Sequence, residues 1–215
     1  MTSGDPRDDR RQPTVTRDKA AYLLVIPGFA DWEPAHAIAE LRRNGGYRVE
    51  VVATSRDVVE SMGGLPVRPT RTLADMDPRD VAVFILPGGE GWERGPVDEA
   101  LLDVLGRLDE ADVPIAAICA ATTAIARTGM IRGRRHTSNG LAYLRAQVPD
   151  YADEASYVDA PAVRDRGLIT ASGVADVEFA AEIMAELSVL TDEERTTWSG
   201  MFRSGRITGM EPGEG

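Results

Sequence analysis

The chain has 215 residues, of which 43% are hydrophobic, and its formal net charge is −11. This length fits one domain with tails, and this composition excludes global disorder. The acidic balance disfavours nucleic acid as a partner, because the phosphates would be repelled. No apolar run reaches the roughly 20 residues that cross a bilayer. The single cysteine excludes an internal disulfide, so we expect a cytoplasmic protein without membrane association.

The two ends of the chain are predicted to be tails around one domain. Residues 1–19 are polar and charged, lack the apolar segment of a signal peptide, and are typical of a disordered tail. Residues 20–204 alternate strands and helices without an internal repeat or a linker, so we assign them to a single domain that includes a C-terminal helix. Residues 205–215 are assigned to a flexible tail.

Buried strands and amphipathic helices alternate through the first half of this domain. Apolar runs predict strands over residues 22–26, 48–53 and 81–86. Helical spacing predicts helices over residues 31–43 and 97–108. Residues 62–71 are rich in glycine and proline, which indicates a small hairpin or an excursion at the edge of the sheet.

The second half continues the alternation. Strands are predicted over residues 114–118, 156–163 and 168–171. Helices are predicted over residues 120–128, 141–147, 177–190 and 191–203. The whole pattern predicts an α/β fold with a mostly parallel sheet and helices on both faces. In such sheets ligands bind at the carboxyl ends of the strands.

Cys119 lies where an apolar strand passes directly into a helix, which is the layout of a nucleophile elbow with cysteine in place of serine. The N–H groups and dipole of a helix N-terminus favour a thiolate, so we expect a thiol pKa below that of a free cysteine. The small residues Ala120 and Ala121 leave room for a substrate. The alternative is a buried, inert cysteine, since cysteine is among the most buried residue types.

Three segments together resemble the DJ-1/PfpI superfamily, whose relatives are the class I glutamine amidotransferase-like proteins. They are Leu-Pro-Gly-Gly at residues 86–89, Ala-Ile-Cys-Ala at residues 117–120, and Thr-Ala-Ser-Gly at residues 170–173. The resemblance covers about residues 21–190 and is greatest to a bacterial branch described as intracellular proteases, amidases or amidotransferase-like proteins. It implies a flavodoxin-like three-layer αβα sandwich and frequent homodimers.

The resemblance also implies a set of site residues around Cys119. Glu33 follows the first strand, where similar proteins carry a glutamate that hydrogen-bonds the cysteine sulfur. A buried glutamate there would have a raised pKa and could donate a proton. A helix-start acid is the alternative for Glu33, as it is for Asp31. The oxyanion or binding residues implied by the family pattern are Gly88, Gly89, Ala120, Asn139, Ser172 and Gly173. The N–H groups of Gly89 and Ala120 would be the oxyanion donors, although an ordinary turn would also explain the two glycines.

Histidine is where the sequence departs from the family pattern. PfpI-type members carry histidine directly after the cysteine, where this chain has Ala120, and the late histidine of amidotransferases has no counterpart after His136. We therefore expect neither glutaminase nor general protease activity. Asn139 takes the position of a histidine in human DJ-1-like members. His136 lies three residues earlier, on the opposite face of an extended segment, and is only a candidate base. His36, one helical turn beyond Glu33, is more simply a packed or interface histidine.

Two functions are compatible with these residues. The first is a cysteine-dependent enzyme, a hydrolase, hydratase or glyoxalase/deglycase-like protein, in which Cys119 attacks a small carbonyl or amide compound and Glu33 handles the proton. The second is a non-catalytic stress or redox protein whose Cys119 is oxidised to sulfenic or sulfinic acid. We expect a homodimer without a cofactor. One cysteine and two widely separated histidines make no metal signature, and the glycine-rich segments lack phosphate-loop spacing.

Overall fold

The computed structural model describes residues 18–93 and 97–207. Most of the two predicted tails, at residues 1–17 and 208–215, therefore lies outside the described residues, and the tails stay a prediction. None of the helices in the described ranges combines the length and the hydropathy that crossing a membrane requires.

A mostly parallel sheet forms the centre of the molecule. In chain order the strands of the described residues are β1 (Ala20–Leu24), β2 (Val49–Ala53), β3 (Val59–Glu60), β4 (Pro66–Val67), β5 (Arg71–Thr72), β6 (Val81–Leu86), β7 (Ile115–Ile118), β8 (Ala162–Asp165) and β9 (Leu168–Ala171). The described strands form a seven-stranded sheet in the order β5-β2-β1-β6-β7-β9-β8, while β3 and β4 make a separate antiparallel hairpin. Within the large sheet β8 runs antiparallel to β9, and the other pairs are parallel.

Helices cover both faces of this sheet. In the described part of the chain they are α1 (Ala35–Arg43), α2 (Glu99–Glu110), α3 (Ala121–Thr128), α4 (Leu141–Gln147), α5 (Asp176–Glu186) and α6 (Asp192–Ser204). Alternate residues of a strand point to opposite faces, so Tyr22 and Leu24 pack with α2 and α3, whereas Ala21 and Leu23 pack with α1, α5 and α6. This arrangement confirms the predicted αβα sandwich.

Several element boundaries differ from the prediction for local reasons. The predicted strand over residues 156–163 is wrong: residues Glu154–Ser156 form a 3₁₀ turn, and the strand is Ala162–Asp165. The intervening segment pairs elsewhere, since Val158 N–H donates to His136 O at 2.8 Å. Helix α1 begins at Ala35 rather than residue 31, because Pro34 takes the N-cap position. Helix α2 begins at Glu99, behind the Asp98 cap.

The topology places a crevice at one edge of the sheet. From β1 the chain turns outward to β2, and from β6 it turns the other way to β7, so the strand order reverses between β1 and β6. Ligands of open α/β sheets bind outside the carboxyl ends of the strands at such a reversal. The segments that follow β1, β6, β7 and β9 meet there, and they carry the candidate site.

Candidate active site

Cys119 occupies the sharp turn between β7 and α3. Its φ is 58°, in the left-handed region that a non-glycine residue rarely adopts. Such a backbone costs about 1–3 kcal/mol and persists only where the surroundings fix it. Here the Cys119 N–H donates to Ala171 O at 2.9 Å, and the Thr122 hydroxyl donates to Cys119 O at 2.6 Å. The turn projects the half-buried thiol beyond the end of β7.

Glu33 lies directly beside the thiol. Its side chain is fully buried, and Oε2 accepts a hydrogen bond from the Gly88 N–H. Oε1 is also buried and has no conventional donor among the described residues. It faces the sulfur, and the interaction with Cys119 contributes to lowering the carboxyl pKa. A buried carboxylate oxygen without a conventional donor is costly, and the Cys119 thiol is the side chain whose interaction offsets part of that cost.

Two glycines leave the space in which this pair sits. A Cβ atom on Gly88 would lie 2.7 Å from Cys119 Cβ and 2.8 Å from Glu33 Oε2. A Cβ atom on Gly173 would lie 2.7 Å from Cys119 Sγ and 3.1 Å from Glu33 Oε1. The turn after β6 and the turn after β9 therefore both approach the pair at backbone distance. Any side chain at either glycine would displace the reacting atoms.

Asn139 ties the sulfur to the turn after β9. Its Nδ2 donates to Cys119 Sγ at 3.2 Å, and its Oδ1 accepts from the Gly173 N–H at 2.9 Å. Trp32 Nε1 donates to Gly173 O at 3.0 Å from the other side. Gly173 is thus fixed by both of its backbone polar groups, and the Asn139 amide is fixed with it.

The pKa values of Glu33 and Cys119 move in the same direction. Burial raises the pKa of Glu33 to about 6, although the Gly88 N–H works against this. Burial, and after it the charge of Glu33, raises the pKa of Cys119 to about 11, although donors from Asn139 and Ala120 work against this. The predicted lowering of the thiol pKa is therefore wrong for the resting pair, because desolvation outweighs the helix N-terminus. Of the two groups, Glu33 therefore ionises at the lower pH.

His136 is not part of the site. It is buried, with Nδ1 2.7 Å from Arg134 O and Nε2 2.7 Å from the Tyr151 hydroxyl. A carbonyl only accepts, so Nδ1 carries the proton and the Nε2 lone pair is occupied by the Tyr151 O–H. The candidate role as a base is therefore corrected: no lone pair is left to take a proton, and neither partner contacts the thiol.

His36 takes the packed role. Its Nε2 lies 3.3 Å from Asp176 Oδ2, and its ring makes edge contacts with Trp198 and Phe202. The histidine therefore joins α1 to α5 and α6. This matches the interpretation of a packed histidine and gives it no part in proton transfer at Cys119.

The remaining predicted residues form the backbone frame around the thiol. Ala120 N–H interacts with the Cys119 sulfur and lowers its pKa. Gly89, at φ 153°, pairs with Phe29 in an isolated antiparallel bridge that fixes the loop beside Gly88. Ser172 N–H donates to Pro161 O at 3.0 Å, and Ser172 O accepts from Ala175 N–H at 2.9 Å. Ser172 thus shapes the turn through its backbone.

Sequence reasoning missed two residues next to this frame. The Tyr143 hydroxyl, on α4, donates to Glu93 Oε1 at 2.8 Å. Burial, then Glu93, and further the charge of Cys119 raise the pKa of Tyr143 above its usual range, while a side-chain hydrogen bond from Asn139 lowers it. The spacing of Tyr143 four residues after Asn139, at the start of a predicted helix, could have placed it near the thiol.

Side chains that could hold a metal ion and cavities that could hold a ligand are the remaining features of the described residues around the site. No group of three or more His, Cys, Asp or Glu side chains within residues 18–93 and 97–207 is arranged to hold a metal ion. A cavity of about 790 Å³ lies beside the carboxyl ends of β1 and β2, with Ser55, Val58 and Trp92 in its wall, and Cys119 does not line it.

Comparison with known proteins identifies the family. The model of the DJ-1/PfpI family matches residues 19–186. A Bacillus subtilis protein named uncharacterized protease YoaZ is 34% identical over 188 residues, which are 84% of this chain and 89% of the relative. The deglycase TK1284 of Thermococcus kodakarensis is 26% identical over 158 residues, which are 72% and 90% of the two chains. The crystal structure of a DJ-1 superfamily protein from Agrobacterium tumefaciens has a TM-score of 0.80 at 35% identity and covers 87% of this chain and 98% of its own. The chain belongs to the DJ-1/PfpI family, with its flavodoxin-like fold.

Proposed function

We propose that the protein is a cysteine-dependent enzyme of the glyoxalase or deglycase type, acting on small carbonyl compounds. The observation that supports this most directly is the buried Glu33 carboxylate, whose Oε1 faces the Cys119 thiol and has no conventional hydrogen-bond donor. A protein that only needed a stable core would gain by replacing such a carboxylate. Relatives named deglycases are consistent with this chemistry.

The pair suits addition of the thiol to a carbonyl group. As the bond from Sγ to the carbonyl carbon forms, the thiol proton passes to Glu33 Oε1 and the C=O π pair moves to oxygen. The N–H groups of Gly89 and Ala120 are the donors we assign to that oxyanion. Glu33 then returns the proton to the oxygen, which gives a neutral hemithioacetal and restores the carboxylate.

For a 2-oxoaldehyde the same carboxylate completes the reaction. It removes the proton from the former aldehyde carbon and delivers one to the neighbouring carbon, while the hydroxyl proton passes to the neighbouring carbonyl oxygen; the hemithioacetal thereby becomes a thioester of a 2-hydroxy acid. Water then cleaves the thioester, releasing the 2-hydroxy acid and the Cys119 thiol. The net reaction adds one water to the substrate and needs no external oxidant or reductant.

A turnover screen tests this function. Small 2-oxoaldehydes, simple aldehydes, amides and nitriles are offered to the wild type, Cys119→Ala and Glu33→Gln. We expect the wild type to consume a carbonyl substrate and both variants to lose that turnover, because Cys119→Ala removes the nucleophile and the amide of Glu33→Gln cannot carry the proton. Equal rates for wild type and Cys119→Ala on every compound would overturn the proposal.

Alkylation by iodoacetamide separates a lost base from a lost thiol in the same variants. Glu33→Gln removes the negative charge that raises the Cys119 pKa, so its alkylation at pH 8 should become faster. Each pKa unit corresponds to about a tenfold change in thiolate. Faster alkylation together with lost turnover would identify Glu33 as the base. Unchanged alkylation would show that Glu33 does not act on the thiol.

Oxidation of Cys119 without turnover is the second candidate. The Asn139 amide and the Ala120 N–H at the sulfur favour it, since both could donate to the oxygens of a sulfinate. The raised thiol pKa opposes it, because peroxide reacts with the thiolate. Stoichiometric conversion to the sulfinic acid by peroxide, in a protein that consumes no substrate of the screen, would favour this function over the enzyme.

We further propose that the protein acts as a homodimer in the cytoplasm. Dimers are frequent in the family, and a reducing compartment keeps a lone cysteine in the thiol form that attack on a carbonyl requires.

A further inference from the structure

A second carboxylate, Glu93, is connected to the thiol through the side chains of Asn139 and Tyr143. The Asn139 amide has two N–H donors: one bonds Cys119 Sγ at 3.2 Å, and a side-chain hydrogen bond also links Asn139 to Tyr143. Tyr143 in turn donates its hydroxyl to Glu93 Oε1 at 2.8 Å. Asn139 therefore spans from the sulfur to the Tyr143–Glu93 pair, which none of the steps proposed above uses.

The direction of the Tyr143–Glu93 hydrogen bond fixes what the pair offers a ligand. A carboxylate accepts and does not donate, so the single phenolic proton points toward Glu93. One lone pair of the Tyr143 oxygen receives the Asn139 amide, the other remains for a ligand donor, and Glu93 adds negative charge behind them. The pair is thus an acceptor site close to the reacting sulfur.

The described charged side chains that act on the thiol and on Tyr143 are carboxylates. The groups that act most strongly on Cys119 and Tyr143 are the carboxylates of Glu33 and Glu93, the Asn139 amide and a backbone N–H. No lysine or arginine from the described part of the chain is among them. A substrate that carries its own carboxylate next to the attacked carbon would meet repulsion from Glu33 and Glu93.

We propose that Tyr143 and Glu93 are the specificity-determining pair for Cys119: they accept a hydrogen bond from an O–H or N–H group next to the attacked carbon and reject a carboxylate at that place. The favoured substrate class is therefore neutral hydroxy- or amino-bearing carbonyl compounds, and 2-oxo acids are disfavoured. This inference rests on the proposed function for its substrate class, but it concerns every electrophile that reaches the sulfur.

Two alkylating agents of similar shape test the pair without any turnover. Iodoacetamide is neutral and carries N–H donors, whereas iodoacetate is an anion. Because Cys119 is the only cysteine of the chain, each second-order rate reports this sulfur alone. The ratio of the two rates at one pH cancels the thiolate fraction, and a free thiol measured in parallel gives the intrinsic ratio of the reagents.

We expect the wild type to prefer iodoacetamide more strongly than the free thiol does. Glu93→Gln should lower this preference by about tenfold, as loss of one nearby charge predicts. Tyr143→Phe should lower the rate of alkylation by iodoacetamide about threefold, because it removes the oxygen that accepts a hydrogen bond from the reagent. Glu90→Gln is the matched control, since it removes the same charge from the same 3₁₀ helix, Glu90–Glu93.

A ratio that stays within twofold of wild type in Glu93→Gln would overturn the inference, and so would an equal change in Glu90→Gln. The two proposals fail separately. A screen without any consumed substrate counts against the enzyme, while the alkylation ratio still decides the role of Tyr143 and Glu93.

Discussion

At Glu33 and Cys119 burial makes both the carboxyl and the thiol harder to ionise; the Glu33 charge raises the thiol pKa further, whereas the interaction with Cys119 lowers the carboxyl pKa. Burial is the larger cause for both, and the Gly88 N–H is the main compensation on the carboxylate. The left-handed backbone of Cys119 adds strain at the same place. Residues that cost stability in this way are characteristic of sites where the chemistry needs them.

The raised pKa of Glu33 predicts a stability change with pH. Its folded pKa of about 6 lies above the ordinary value of 4.5, so the folded state binds more protons and stability falls as pH rises from 4.5 through 6. Relative to wild type, Glu33→Gln should therefore gain about 2 kcal/mol between about pH 4 and pH 7.5. Urea unfolding at the two pH values measures this.

Glu99→Gln, which removes a carboxylate from the exposed first turn of α2, is the control for a general charge effect. A difference between Glu33→Gln and wild type that is the same at both pH values would contradict the raised carboxyl pKa. So would an equal pH dependence in Glu99→Gln.

Among the elements, the turn that joins β9 to α5 is what holds the site together. Gly173 in this turn bonds Asn139 and Trp32 through its backbone and leaves space for Cys119 Sγ. Its φ lies outside the left-handed region, so the requirement for glycine here is space rather than backbone conformation. The need for space at Gly173 can therefore be tested by adding a single methyl group, as in Gly173→Ala.

Gly173→Ala should destabilise the protein by about 1–3 kcal/mol, because the added Cβ would sit 2.7 Å from Sγ and 2.8 Å from Cys119 Cβ. Alkylation of Cys119 should change with it, since the sulfur must leave its place beside Asn139. Gly200→Ala in α6 is the matched control: its Cβ would meet open space, and alanine in a helix should stabilise by about 0.5–1 kcal/mol. Denaturant unfolding that gives both variants the same sign would refute the packing argument.

Sequence reasoning located elements best where the pattern was local. Residues 81–86, 141–147 and 168–171 agree with β6, α4 and β9 to the residue. The segment 156–163 was misassigned because its partners, around His136, lie far away in sequence. Tyr143 and Glu93 were missed for the same reason, since 50 residues separate them.

In the site, too, some features could be predicted from sequence motifs and others could not. The family pattern indicated Cys119, Glu33 and Asn139, and the structure brings the three together. The direction of the thiol pKa was wrong, because a helix N-terminus can be recognised in sequence while desolvation depends on the finished packing. Local motifs thus indicate which residues meet, but the pKa values of those residues depend on how deeply the folded protein buries them.

For the whole molecule we expect a homodimer. The β3–β4 hairpin carries large apolar side chains in solvent, with Val58 49%, Met62 49% and Leu65 58% exposed. Apolar side chains grouped on one exposed hairpin are typical of an interaction surface. Light scattering at micromolar concentration should give about twice the chain mass of 23.2 kDa.

Leu65→Glu should shift this mass toward the monomer, because the hairpin would then carry a charge into the contact. Ile207→Glu, at an apolar side chain that is 67% exposed elsewhere, is the control. A wild-type mass near 23.2 kDa would contradict the dimer, and equal effects of the two variants would contradict the hairpin as its contact.

Cys119 packs against the apolar clusters on both faces of the sheet. Loosening of either helical layer therefore reaches the same sulfur, although the two clusters are separated by the sheet. The rate of Cys119 alkylation during heating therefore reports on both helical layers, since it rises when the first of the two layers begins to unfold. Inactivation by heat should accordingly follow the weaker layer, and engineering that strengthens only the other layer would leave the working temperature of the protein where it was.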